Sequence, residues 1–145
     1  MEYSCSVEID LPRDRVVALF DDPDNLVKWQ KGFVSLTHVS GVAGRTGAKF
    51  ELVYKMGKRD IVMVETITAR NLPDTISATY EAKGVWNLVE NRFSETDAGH
   101  TIWQMDTVFK CTGFMWVMAK LMPGMFRKQS NQMMRDFKAF AEASG

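Results

Sequence analysis

The chain has 145 residues, enough for one domain with a sizeable core and too few for a second domain dedicated to a cofactor. Its 18 Lys+Arg balance 18 Asp+Glu, which excludes the basic excess expected of a dedicated nucleic-acid binder, and a hydrophobic fraction of 46% excludes a disordered chain. Ten methionines are the one unusual entry in the composition.

The predicted elements begin with a half-buried strand, since Tyr3, Cys5, Val7 and Ile9 alternate with Ser4, Ser6 and Glu8. Asp10 and Pro12 then open a short helix with Val16, Val17, Leu19 and Phe20 as its apolar stripe. Asp22-Pro23 is a cap followed by a first-turn proline and starts a second short helix ending near Trp29. Asp21, Asp22 and Asp24 surround this helix start, where carboxylates favour the dipole, so capping explains them better than a cation site.

From Phe33 to Cys111 the pattern is that of strands. Phe33–Ser40 runs into a turn punctuated by Gly41, Gly44 and Gly47. Phe50, Leu52, Tyr54 and Met56 alternate up to Gly57. Ile61–Ala69 is apolar in both phases, which leaves the direction of Glu65 open between the interior and solvent. Ile76, Ala78 and Tyr80 alternate up to Gly84. Val85–Thr96 and Thr101–Cys111 flank the turn residues Asp97-Ala98-Gly99.

After Gly113 the period changes. Phe114–Met122 is densely apolar and is interrupted by Pro123-Gly124. Beyond it Phe126, Ser130, Met133, Phe137 and Phe140 recur every three or four residues, as in an amphipathic helix. Six of the methionines fall between Phe114 and Met134, and residues 110–138 carry six basic side chains against Asp136 alone, a net +5. The order is thus strand, two short helices, six strands and a long helix, an α+β layer with the helix on the sheet's apolar face.

This order, together with Asp22-Pro23…Trp29, Gly41…Gly44…Gly47, Tyr80…Gly84-Val85-Trp86-Asn87…Asn91-x-Phe93 and the terminal Phe137-Lys138-x-Phe140-Ala141-Glu142, resembles the START-like (SRPBCC) superfamily over essentially the whole chain. That superfamily includes polyketide cyclase/dehydrase and lipid-transport proteins and shares the helix-grip fold of birch pollen allergen. The resemblance implies a seven-stranded curved antiparallel sheet gripping the C-terminal helix, with a cavity between them. It also implies that Cys5 and Cys111, on adjacent first and last strands, lie close together as free thiols.

The inward phases would line such a cavity with Phe50, Tyr54, Tyr80, Asn87, Val89, Asn91, Phe93, Trp103, Met105, Phe126, Met133 and Phe137. Plain core packing is the competing explanation for these aromatic and methionine stripes, and both stay open. Buried amides without partners are costly, so Asn87 and Asn91 are expected to meet water or a ligand's polar group. The expected function is binding of a small hydrophobic molecule, without metal, nucleotide or other cofactor. The alternatives are a polyketide cyclase/dehydratase-type enzyme, with Glu65, Tyr54 or Tyr80 assisting proton transfer, and a protein-interaction module of co-chaperone type.

His38 and His100 sit in no metal motif and are expected at the surface. The basic C-terminal stretch is read as a solvated helix face, with Phe114–Met125 as a lid, a dimer contact or a site of brief contact with an anionic membrane. Either a monomer or a homodimer fits. The N-terminus shows no signal-peptide pattern, and the longest apolar run, Gly113–Ala119, is too short to span a bilayer, so a cytoplasmic location is expected.

Overall fold

In β1 (Glu2–Ile9) the alternation of apolar and polar residues buries Tyr3, Cys5 and Ile9 and leaves Glu2, Ser4 and Ser6 outside, in a computed structural model that describes residues 1–145. Two short helices follow, α1 (Arg13–Asp21) and α2 (Leu26–Trp29), separated by a 3₁₀ turn over Pro23–Asn25. The Asp22 carboxylate caps that turn by accepting from the Asp24 amide at 3.0 Å. Asp21 does something else: it takes both arms of the Arg70 guanidinium at 2.6 and 2.9 Å and ties α1 to the sheet.

Six further strands form a meander: β2 (Phe33–Ser40), β3 (Lys49–Met56), β4 (Arg59–Asn71), β5 (Thr75–Ala82), β6 (Val85–Glu95) and β7 (Thr101–Cys111). With β1 alongside β7 they make one seven-stranded antiparallel sheet in the order β1-β7-β6-β5-β4-β3-β2. The sheet curves around a long C-terminal helix, as expected of the helix-grip architecture.

The segment after β7 folds as a helix of its own, α3 (Gly113–Leu121), before α4 (Met125–Ser144). The break falls at Met122-Pro123-Gly124, where Gly124 takes φ +84°, a conformation that side chains disfavour. At the other end of α3, Gly84 lies in the β5–β6 turn with φ +77°, and a Cβ there would press on the Thr112 carbonyl and the Met115 side chain.

α4 lies against β1 and α2, and its rotation differs from the simplest reading of its stripe. Phe126, Met134, Phe137 and Ala141 are buried, whereas Met133 and Phe140 are half-buried. The helix has turned its apolar face toward β1, where Tyr3 bonds Ser130 at 2.8 Å and Phe126 stacks on Phe109 with ring centroids 4.3 Å apart. The core is accordingly thickest between α4, β1, β6 and β7.

Cys5 and Cys111 are not close. The register sets Cys5 opposite Met105, six residues before Cys111, so the two are about 20 Å apart at ~3.3 Å per residue. Adjacency of the strands is correct; β7 overshoots the start of β1, and Cys5 sits in the middle of β1.

Candidate functional site

Antiparallel pairing places residues that face one another across strands on the same side of the sheet. Phe50 opposes Glu65, Glu65 opposes Tyr80, Tyr80 opposes Asn87, and Asn87 opposes Phe109. These five form one row across the concave face. Glu65 therefore points inward, which resolves the ambiguity left by a strand apolar in both phases. Tyr54 opposes Ile61 and Leu52 opposes Met63, forming the rows beyond.

The concave face is divided in two. At one end Phe20 from α1 and Trp29 from α2 drive into it and meet Phe93, Trp103 and Phe137, with ring centroids mostly 5–6 Å apart in edge-on and stacked pairs. Phe93, Trp103 and Phe137 are 0–1% exposed there, and Met105 is also buried. These four fill the interior. Sequence periodicity gave their direction but not that two helices would plug the space in front of them.

On the rest of the concave face Phe50, Tyr54, Glu65, Tyr80, Phe109 and Met133 are only half-buried: Tyr80, Phe109 and Met133 border the main core, and Phe50 and Tyr80 pack on a smaller cluster of Ala48, Ile67 and Ala78. Tyr54, Glu65 and Tyr80 are nonetheless deep enough for burial to dominate their acidity. Burial raises the Glu65 carboxyl above its usual range, partly offset by the Tyr80 hydroxyl beside it. Burial also raises both phenols, and the nearby Glu65 charge adds to each shift. The Tyr54 hydroxyl is held by Gln30, just past α2, at 2.5 Å, and its ring meets Phe33 edge-on.

The expected partnerless asparagines are satisfied by the protein. Asn91 accepts from the Trp103 indole N–H at 2.9 Å, and Asn87 donates to Thr107 Oγ1 at 2.6 Å and to the Val108 carbonyl at 3.0 Å. The premise that they need water or a ligand is thus corrected, because the neighbouring strand β7 supplies groups that periodicity could not pair with them. Val89 and Phe126 are buried in the core, where Val89 opposes Thr107 and Phe126 stacks on Phe109.

A second concavity was not foreseen. An open groove of about 560 Å³ runs between residues 27–33 and the α4 positions Asp136, Ala139 and Phe140. Trp29 stands at its base, with a buried indole N–H that has no hydrogen-bond partner. No sequence signal marks it, since it arises from how two distant segments meet.

His38 opposes Phe50, with ring centroids 5.3 Å apart, and so stands at the outer edge of the row that Phe50 begins, whereas His100 lies outside both concavities. His38 is exposed, with its ring 2.8 Å from the Gly41 carbonyl. His100 bridges Glu8 at 2.9 Å and Asp10 at 2.7 Å. No cluster of three or more His, Cys, Asp or Glu residues offers a metal site.

Nearly the whole chain, residues 2–142, matches the family model described as polyketide cyclase/dehydrase and lipid transport. No curated protein matches the sequence. Solved structures similar to it include a protein of Thermus thermophilus at 16% identity and TM-score 0.80, covering 100% of this chain and 99% of that one. An aromatase/cyclase from a Streptomyces species superposes with TM-score 0.75 at 13% identity over 98% and 93% of the two chains. A major latex-like protein of Panax ginseng gives TM-score 0.74 at 13% identity over 97% of each. At such identities these likenesses establish the fold. The chain belongs to the polyketide cyclase/dehydrase and lipid-transport family.

Proposed function

We propose that this family member binds one small hydrophobic molecule in the open half of its concave face, between β3–β5 and the Met133 side of α4. The observation that carries the reading is the divided interior: one half is packed with aromatic rings, while the inward residues of the other half keep accessible surface. Phe50, Phe109 and Met133 supply apolar contact, and methionine adapts to ligands of varied shape. Tyr54, Glu65 and Tyr80 supply a few polar groups that orient a ligand hydroxyl or carbonyl.

Native mass spectrometry of the purified protein, together with titration of a fluorescent fatty acid, tests this directly. Saturable binding at one molecule per chain is expected, weakened by Phe50→Ala. Absence of saturable binding to any of a panel of fatty acids, aromatic polyketides and flavonoids would overturn it.

A second reading rests on the carboxyl between two phenols. Glu65, with its acidity weakened by burial, is poised to exchange a proton with a bound polyketide-like chain. The two readings separate at Glu65→Gln. If the protein only binds, the variant retains probe affinity to within about tenfold, the order expected for one polar contact. If it catalyses, the variant binds substrate but no longer converts it.

A further inference from the structure

The helix α3 has two apolar faces and only one is used. Met115 and Ala119 turn inward and pack against the core. Phe114, Val117 and Leu121, spaced i, i+3 and i+7, form a stripe on the opposite side. Phe114 is 70% and Leu121 73% exposed, and Trp116 beside them is also exposed, with the Lys120 ammonium 5.6 Å from its ring centre. Isolated exposed apolar residues need no explanation, but a contiguous helical stripe does.

Its surroundings are strongly charged. The β3–β4 turn, the β5–β6 turn and the end of β7 all lie at the same end of the sheet as α3. They present Lys58, Arg59, Lys83 and Lys110, all exposed, to which α3 and α4 add Lys120 and Lys128. Glu2, Asp60 and Glu81 are the acids there. The opposite end carries Glu8, Asp10, Asp74, Glu95 and Asp97, with Arg13, Arg92 and Lys138 as the bases beside them. Net neutrality therefore conceals two poles, and the unpartnered apolar stripe stands at the basic one.

We propose that α3 docks this end of the protein on an anionic lipid surface, with Phe114, Val117 and Leu121 entering the acyl boundary and the surrounding lysines meeting the headgroups. Charge complementarity favours this occupant. A second copy of the chain is disfavoured by the same charges, because a two-fold interface through α3 would bring each basic pole against its own duplicate. Tryptophan beside lysine at the margin of the stripe suits the interface between headgroups and hydrocarbon. Docking goes beyond ligand binding and does not depend on it.

Co-sedimentation tests it, using vesicles of phosphatidylcholine alone or mixed with phosphatidylglycerol. Binding is expected only to the mixed vesicles, and it should fall steeply in about 1 M salt, where the Debye length is about 3 Å. The double variant Phe114→Ser/Leu121→Ser, and separately Lys83→Glu/Lys120→Glu, should each lose about tenfold or more in vesicle affinity. Both pairs are exposed, so circular dichroism and binding of a soluble fluorescent fatty acid in vesicle-free buffer should match the parent protein. No binding to phosphatidylglycerol vesicles, or binding unchanged by Phe114→Ser/Leu121→Ser, overturns the proposal. Self-association that this variant abolishes also overturns it and assigns the stripe to a second copy.

Discussion

Asn91 shows how a polar residue can be at home in an aromatic core. Its carbonyl oxygen accepts from the Trp103 indole inside a cluster where neither group can reach water, so each satisfies the other. Asn91→Ala leaves the indole N–H without an acceptor and should cost about 1–3 kcal/mol, measurable by urea unfolding. His100 works at the surface by charge. The hydrogen bond to Glu8 raises its pKa; burial opposes this, and the negative charges of Asp10 and Glu8 add to the rise against a smaller opposing charge from Lys138. The folded-state pKa thus lies above the unfolded value of about 6.5. Its stabilising contribution is fully present below about pH 6.5 and is lost as pH rises through the folded-state value. Thermal melts from about pH 5 to about pH 9, which begin below the unfolded value and extend well above it, should show this loss, and His100→Gln should remove this component of the pH dependence. Periodicity placed Asn91 inward and His100 at a turn, but their partners lie on other strands and were invisible to it.

At the scale of elements, the rotation of α4 decides which methionine is structural. Met134 belongs to the core and is 1% exposed, whereas its neighbour Met133 is half-buried at the margin of that core. Met134→Ala should cost about 2–5 kcal/mol by leaving a cavity. Met133→Ala should cost about 1 kcal/mol or less and instead weaken binding of a fluorescent fatty acid. Chemical denaturation and probe titration of the two variants side by side check this. Sequence spacing favoured Met133 for the buried stripe, because 3.6-residue periodicity tolerates a shift of one position at the margin. Only the docking of Tyr3 and Phe109 against α4 fixes the rotation. The separate α3 was half legible: Pro123-Gly124 marked the break, but a dense apolar run carries no period that tells which side packs inward.

For the whole molecule, the proposed ligand binding would have a thermodynamic signature. A ligand that binds only the folded chain stabilises it by about 2.7 kcal/mol at 100 times its Kd. In a chain of this size each kcal/mol raises Tm by roughly 2–4 °C. Thermal shift with the lipophile found by mass spectrometry should reach about 5–11 °C at 100 times its Kd and keep rising with the logarithm of ligand concentration. A Phe50→Ala variant, altered in the open half, should shift less at the same ligand concentration.

The strand–helix–meander–helix order, the alternating phases of the strands and the breaks at glycine and proline were determined by the sequence itself, because they depend on local periods and backbone preferences. The family resemblance followed from that order. What filled the interior was decided only by tertiary structure: Phe20 and Trp29 come from outside the sheet and plug one half of it. The same holds for the direction of Glu65, fixed by cross-strand register, and for the separation of Cys5 from Cys111, fixed by strand offset. The balance of 18 charges of each sign was plain in the composition. Their sorting into a basic pole around α3 and an acidic pole opposite was not, since alternate turns of a meander return to the same end of the sheet and gather residues distant in the chain.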